Sequence, residues 1–353
     1  YMALKQPVEV PQGALRFNTD SQKLEFFAQD QWWEMATDVP YLGGNHHQSQ
    51  TASNNSNTLA SGTRGIWIGG EPLTSTMSYA TLETGGDTKL FGDAVQGGSG
   101  LANCGTIGSR TRGIHAGGEP ATSTMASFTF ASLGNAVHDG EDLTSSRRFV
   151  TGISGSDRGI WLGGSEPTRV NKIEYISISS FGDSIDFGDL QEAKDCGGGG
   201  AWSNGVIGGV MGGYKSDGSN STLIEYVTIP TLGNAQTFGD IIAGRHNVAS
   251  TSNSIRAIGA GGSPETVDTI QYINMATKGN TSDFGDLTDG TTAMNACASP
   301  VRAVWGGGNI SPAKTSKMEY VSFATLGNAV NFGALSQGSV QTPSACSNNH
   351  GGL

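Results

Sequence analysis

Long apolar runs are missing from this 353-residue chain, and so is helical periodicity. No stretch of 18 apolar residues occurs, which excludes a membrane-spanning helix. No long window spaces apolar residues three and four apart, so almost no helix is expected. Basic residues are few: 20 Lys and Arg stand against 31 Asp and Glu, a net charge of −11. A positive groove for DNA or RNA is therefore not expected, and the acid excess reads as a soluble surface. Proline is scarce, at 11 residues, and without a G-X-Y period collagen is excluded. The four cysteines, Cys104, Cys196, Cys297 and Cys346, lack the C-x-x-C spacing that zinc needs. Three lie five to eleven residues before a Gly-Gly strand and Cys346 just before the chain ends; in a true repeat they are expected on equivalent inner strands too far apart to bridge, as buried thiols. A first residue of Tyr implies that residues precede it.

Glycine is abundant instead: 54 residues, about twice the usual share. The glycines separate short apolar runs such as IEYISI and LIEYVTI, the pattern of many short strands joined by tight turns. A Gly-Gly strand recurs as RGIWIGG (64–70), RGIHAGG (112–118), RGIWLGG (158–164), IGGVMGG (207–213), RAIGAGG (256–262) and RAVWGGG (302–308), at steps of 48, 46, 49, 49 and 46 residues. A tyrosine follows (Tyr79, Tyr175, Tyr226, Tyr272, Tyr320, with Ser127 in the second copy). Glycine comes seven residues later in every copy, usually in a TLGNA-like turn. Five further on stands phenylalanine, with Asp139 in the second copy. Six modules of three or four strands fit the blades of a β-propeller, where packing round an axis buries both faces of each sheet. Ile66 and Trp67, on opposite faces of one strand, can then both be apolar. Six equivalent Gly-Gly pairs are architecture; a phosphate loop would open into a helix, and none follows.

The motif resembles the kelch repeat, in which a Gly-Gly pair ends the second strand, Tyr lies in the third and an aromatic in the fourth. Phe of FGD stands where kelch usually has Trp, so the resemblance is to a kelch-like variant, over roughly residues 55–353. The expected fold is all-β: a six-bladed propeller over 64–353. The final PSACSNNHGGL matches the stretch before each Gly-Gly strand and is expected to complete the first blade. Seven blades is the alternative, should residues 13–60 form a degenerate one.

Two gaps in the module vary in length: second Gly to the Tyr position (9, 9, 11, 13, 10 and 12 residues), and Phe to the next Gly-Gly strand (21, 19, 20, 18 and 18). In an up-and-down blade these gaps become the 2–3 and 4–1 loops, which emerge on one face. That loop face is where recognition is expected; the other carries the uniform turns. The in-phase Arg64, Arg112, Arg158, Arg256 and Arg302, with Asp93, Asp189, Asp240 and Asp286, read as ties between blades or turns, as Arg–carboxylate forks. The six histidines fall at different phases and read as structural or exposed. KSDGSNS (215–221) and HDGED (138–142) lack calcium-loop spacing and read as turns. No Ser/His/Asp order and no H-E-x-x-H is present. Neither a catalytic residue, a metal nor a cofactor is assigned, and an enzyme is not expected. The second module, with Ser127 and Asp139, is either degenerate or meets a partner.

Residues 13–35, GALRFNTDSQKLEFFAQDQWWEM, read as strand, turn, strand, turn, strand. They resemble the small β modules of bacteriophage tail fibres through Gly13, Arg16, Phe17, Asn18, Thr19, Lys23, Leu24, Glu25 and Trp33. The expected organisation is an attachment module (1–40), a polar linker (41–63) and the propeller (64–353). The resemblance implies an extracellular virion protein, a homotrimer joined to other virion proteins by the N-terminal module, which recognises a host-surface receptor with no membrane insertion. A glycan fits the polar loops, and Arg169, Tyr214, Lys215, Asp217 and Asn220 are the expected binding residues. The alternatives are a structural or decorating particle protein and a carbohydrate-active enzyme.

Overall fold

The second strand of each repeat, such as Arg64–Ile68 or Arg158–Leu162, is buried along all but its first residue. Its β-branched and aromatic side chains suit a strand packed on both faces. The Gly-Gly pair stops it. The first glycine has φ of +61° to +72° and the second +105° to +128° in all six copies, conformations that glycine reaches without penalty. A Cβ on Gly69 would lie 1.9 Å from the Leu101 carbonyl oxygen. The second glycine donates its N–H to a 4–1 loop carbonyl at 2.7–3.1 Å in every copy, as Gly70 does to Leu101 and Gly213 to Arg245. The pair therefore turns the chain and ties the two variable loops at one end of the blade.

The computed structural model describes residues 11, 14–18, 23–28, 31–34, 64–94, 100–197, 199 and 201–349. Two compact units are present, Tyr1–His47 and Gln48–Leu353. The first holds three antiparallel strands, Leu15–Asn18, Lys23–Ala28 and Gln31–Glu34. In it the Arg16 guanidinium lies 4.2 Å from the Trp32 ring centroid, and Phe27 meets Trp32 edge to face. The expected linker, 41–63, lies outside the described residues.

The second unit is a six-bladed propeller of four-stranded antiparallel sheets, with no helix among the described residues. In blade 3 the strands are Thr151–Ser154, Arg158–Leu162, Lys172–Ser177 and Ile185–Asp189, from the axis outward. Blade 1 is closed from the far end of the chain: Ser344–Ser347 pairs with Arg64–Ile68, Ser344 opposite Ile68 and Ser347 opposite Gly65. The six inner strands adjoin one another in a closed circle.

The core is divided among the interfaces. Each of six apolar clusters joins two neighbouring blades. Ile66 packs towards blade 2 and Trp67 towards blade 6. The Trp161 and Trp305 indole N–H groups reach the Gly105 and Ala249 carbonyls of the preceding blade. All four cysteines are free and buried; burial pushes the Cys104 and Cys196 thiols up to about 12.

The in-phase arginines do tie blades, but not as carboxylate forks. Each donates from Nη1 to a main-chain carbonyl at the end of the next blade's third strand: Arg64 to Phe130, Arg112 to Ile178, Arg158 to Ile229, Arg256 to Phe323 and Arg302 to Leu82. The guanidinium also lies over its own blade's tyrosine, at 4.6–5.2 Å for Arg64, Arg158, Arg256 and Arg302. A carbonyl needs no second charge, so one arginine serves both contacts. In blade 4 Ile207 replaces the arginine, and Lys278 of blade 5 covers Tyr226 instead. Blade 2 has no tyrosine. There Phe181, from the turn of blade 3, joins the blade 2–3 cluster and lies 5.7 Å from Arg112. The neighbour supplies the aromatic that Ser127 lacks.

The uniform turns have the same logic. In blade 3 Ser184 donates to Asp142; in the other five blades the turn glycine donates to the phenylalanine carbonyl of the preceding blade's outer strand at 2.8–3.0 Å, as Gly134 does to Phe91 and Gly86 to Phe332. The following Asn accepts from that strand's Asp N–H, as Asn135 does from Asp93 and Asn234 from Asp189. The glycine of FGD makes room: a Cβ on Gly239 would lie 2.1 Å from the Gly279 carbonyl oxygen.

Candidate functional site

On the loop face the residue directly after each Gly-Gly pair forms an antiparallel bridge with the preceding blade's 4–1 loop. The six pairs are Glu71 with Gln341, Glu119 with Ala102, Ser165 with Arg148, Tyr214 with Asp195, Ser263 with His246, and Asn309 with Thr292. The backbone repeats six times while the side chains change. Frame and display are thus separated: main-chain bonds satisfy the polar backbone, and the side chains are free to differ.

These side chains link into a polar belt. Gln341 donates to Glu71 at 2.7 Å and accepts from Asn309 at 3.2 Å. Ser263 and Thr292 share a 2.6 Å hydrogen bond. Arg148 meets both oxygens of Glu119, at 2.8 and 3.0 Å. Between them lies the densest part, built by the 2–3 loops of blades 3 and 4. Blade 3 folds its loop into a hairpin, Ser165–Glu166 against Thr168–Arg169. Blade 4 extends Tyr214–Lys215 to pair with Lys194–Asp195.

Arg169 points its Nε at Asp195 Oδ2, 2.8 Å away, and its guanidinium lies 4.2 Å from the Tyr214 ring centroid. The His246 ring is 4.9 Å from Tyr214. Asn220 Oδ1 can only accept, so His246 Nδ1 donates to it, at 2.7 Å. Burial raises the Asp195 carboxyl above the usual range, against the opposing pull of Arg169. Burial also lowers His246 from its ordinary value, with Asp195 pulling the other way. At the exposed tip, Asp217 accepts from the N–H and hydroxyl of Ser219, a local turn that holds its carboxyl below the usual value. Lys215 lies 3.5 Å from Asp217 and 3.8 Å from Glu192.

Of the five residues expected from sequence, Arg169, Tyr214 and Asn220 meet round one aromatic centre, while Lys215 and Asp217 form the adjoining tip. Asp195 and His246 complete the centre and were not expected. Their signal was available: each is a 4–1 loop residue at the phase where the other blades carry Ala102, Arg148, Thr292 and Gln341.

Inside the ring, Thr106, Thr151, Ser154, Ser203, Ser252 and Ser347 line a narrow axial cavity of about 90 Å³. Most of these hydroxyls bond neighbouring strands, as Ser203 does to Ser154 O and Ser252 to Ser203 O. The glycine-rich insertion of blade 4 leans across the axis. Gly199 accepts from the Ser250 N–H, and a Cβ on it would lie 2.1 Å from Asn295 Oδ1 of blade 6. The cavity has room for a few waters, too little for a large ligand; a wider hollow of about 480 Å³ lies on the turn face between Ser109–Arg112 and Ser156–Asp157. A scan of protein-family models finds no match to the chain, and a search of curated proteins finds no similar one.

Proposed function

We propose that this chain is a noncatalytic virion protein of a tailed bacteriophage, a fibre component whose kelch-like propeller recognises a host-surface glycan through its loop face. The observation that carries the reading is the belt: six identical backbone bridges bearing a different residue pair in each. Structural repetition alone requires no such divergence, whereas recognition by a rigid frame does. The topology supports it. The propeller's described strands begin at Arg64 and end at Ser347, both at the turn end of blade 1 and away from the loop face. The N-terminal strands resemble a fibre module, which suits a fibre component. The experiment is adsorption: the full chain is expected to bind host cells and to compete with the phage for them. A chain that does neither contradicts the proposal.

A second reading, a structural protein docked within the particle, is favoured by the turn face. Val206, Ile255 and Val301 in the 1–2 turns, and Leu133, Leu232 and Leu326 in the uniform turns, are each at least half exposed there. In that case the chain would dock through its turn face, and it would bind other virion proteins but not host cells.

A further inference from the structure

Which saccharide the loop face takes depends on whether any of its charges is uncommitted. Across the arc from blade 2 to blade 4 none of the bases is. Arg147 lies 2.7 Å from Glu174, Arg148 2.8 Å from Glu119, and Arg169 2.8 Å from Asp195. Lys172 lies 3.0 Å from Glu166, Lys194 2.6 Å from Glu225, and Lys215 3.5 Å from Asp217. Glu192 is a further carboxylate, shared between Lys194 and Lys215. Arg245, next along the face, lies outside this set: burial lowers it, with Asp268 and Glu265 opposing, and its Nη1 is buried without a hydrogen-bond partner among the described residues. Further round the belt, Glu71 takes a hydrogen bond from the neutral Gln341.

We infer that the Arg169–Tyr214 arc of the loop face, read as a glycan receptor site as above, takes neutral saccharides and rejects acidic ones, because Arg147, Arg148, Arg169, Lys172, Lys194 and Lys215 are each already matched by a carboxylate. An acidic sugar would have to draw Arg169 away from Asp195 and leave a largely buried carboxylate without its partner, a loss that a new ion pair does not repay. The net charge of −11 adds repulsion at a distance, strongest at low salt. A neutral sugar meets no such barrier. Its hydroxyls both donate and accept, which matches the Asn220 amide, the Ser219 hydroxyl and the Asp217 carboxylate at the tip, and the amides of Asn309 and Gln341 farther along the belt.

The test is retention of the full chain on immobilised oligosaccharides: neutral hexose and N-acetylhexosamine chains beside the same chains bearing uronic or sialic acid, at low and high NaCl. Neutral chains are expected to hold the protein at least ~10-fold better, with little change on adding salt. Asp195→Asn, which leaves Arg169 uncommitted, is expected to raise retention on the acidic chains. Asp217→Asn removes the nearer of the two carboxylates of Lys215, Glu192 remaining at 3.8 Å, and is expected to give a smaller rise at an exposed position where folding is not at risk. Preference of the unaltered chain for acidic saccharides, weakening with salt, overturns the inference and leaves the receptor reading standing. So does retention on no saccharide while host cells are still bound. Variants that both gain no acidic binding overturn the stated cause. Binding to neither cells nor saccharides overturns inference and reading together.

Discussion

The residue just before the third-strand aromatic is buried in every blade, and its chemistry decides what must come from elsewhere. It is an acid in Glu174, Glu225 and Glu319, an amide in Gln271, and Ser78 or Ala126 in blades 1 and 2. Each acid has its own base, drawn from a different place: Arg147 from the outer strand of blade 2, Lys194 from a 4–1 loop, and Lys317 from the same strand as Glu319. Gln271 instead accepts from the Ile242 N–H and the Thr281 hydroxyl, and needs no base. Lys194 and Glu225 are both fully buried. Lys194→Met is therefore expected to destabilise the protein by about 3–5 kcal/mol in denaturant melts. Adding Glu225→Gln should recover most of that loss, as the Gln at the same position of blade 5 shows to be workable; a double variant no better than the single one would contradict this. The sequence places these acids one residue before the tyrosine, a phase as regular as the tyrosine itself. Two of their partners, Arg147 and Lys194, were not legible, because each comes from another segment.

His115 stands where blades 1, 3 and 6 carry a buried tryptophan. It is buried, and neither ring nitrogen has a hydrogen-bond partner among the described residues. Burial, with a smaller push from His138, lowers it to about 4. Its unfolded value is near 6.5, so the unfolded chain binds a proton that the folded one refuses between those two values. Its contribution to stability is complete above pH 6.5 and is lost as pH falls towards 4, amounting to about 3 kcal/mol over the window. His115→Leu is expected to flatten that slope in melts between pH 4 and 7. An unchanged slope would show that the histidine finds a proton acceptor.

At the scale of elements, the uniform turn is a splint laid on the preceding blade. That accounts for its constant spacing: glycine and phenylalanine positions are five residues apart in every copy because the turn must meet a strand of fixed geometry. Gly239→Ala would drive a methyl group to within 2.1 Å of the Gly279 carbonyl oxygen and is expected to cost about 2–3 kcal/mol. Asn280→Ala removes only the hydrogen bond to the Asp240 N–H and should cost about 1 kcal/mol. The order of the two melting temperatures checks the splint; equal losses would contradict it. The spacing revealed which turns were uniform, but not that their partner was the neighbouring blade. Blade 2 taught the same lesson. Ser127 and Asp139 marked it as altered, yet its missing aromatic is supplied by Phe181 from blade 3, a residue that differs from its counterparts Leu133, Leu232 and Leu326.

For the whole molecule, the repeat carried the six-bladed ring, and the unmatched C-terminal strand carried its closure. The order of strands followed from the positions of glycine and aromatic residues. The belt was legible only in part, since variable gap lengths pointed to the loop face and to Arg169, Tyr214 and Asn220. Asp195 and His246 reach them across blade boundaries, which local sequence does not encode. Closure from both ends makes the final strand indispensable. Ending the chain after Pro343 deletes Ser344–Ser347, exposes the Arg64–Ile68 edge and opens the blade 6–1 cluster around Trp67. A lower melting temperature and a broader transition are expected; a chain that melts as before would show that blade 1 does not depend on this strand.

The central claim is a division of labour, with one face bound into the ring and the other free to recognise. Its most direct measurement is competition for phage adsorption by the full chain after residues 214–221 are replaced with a short turn, read beside the melting temperature. The expected result is a melting temperature within a few degrees of the original and competition lost. A replaced chain that melts normally and still competes as well as the unaltered one would place recognition elsewhere.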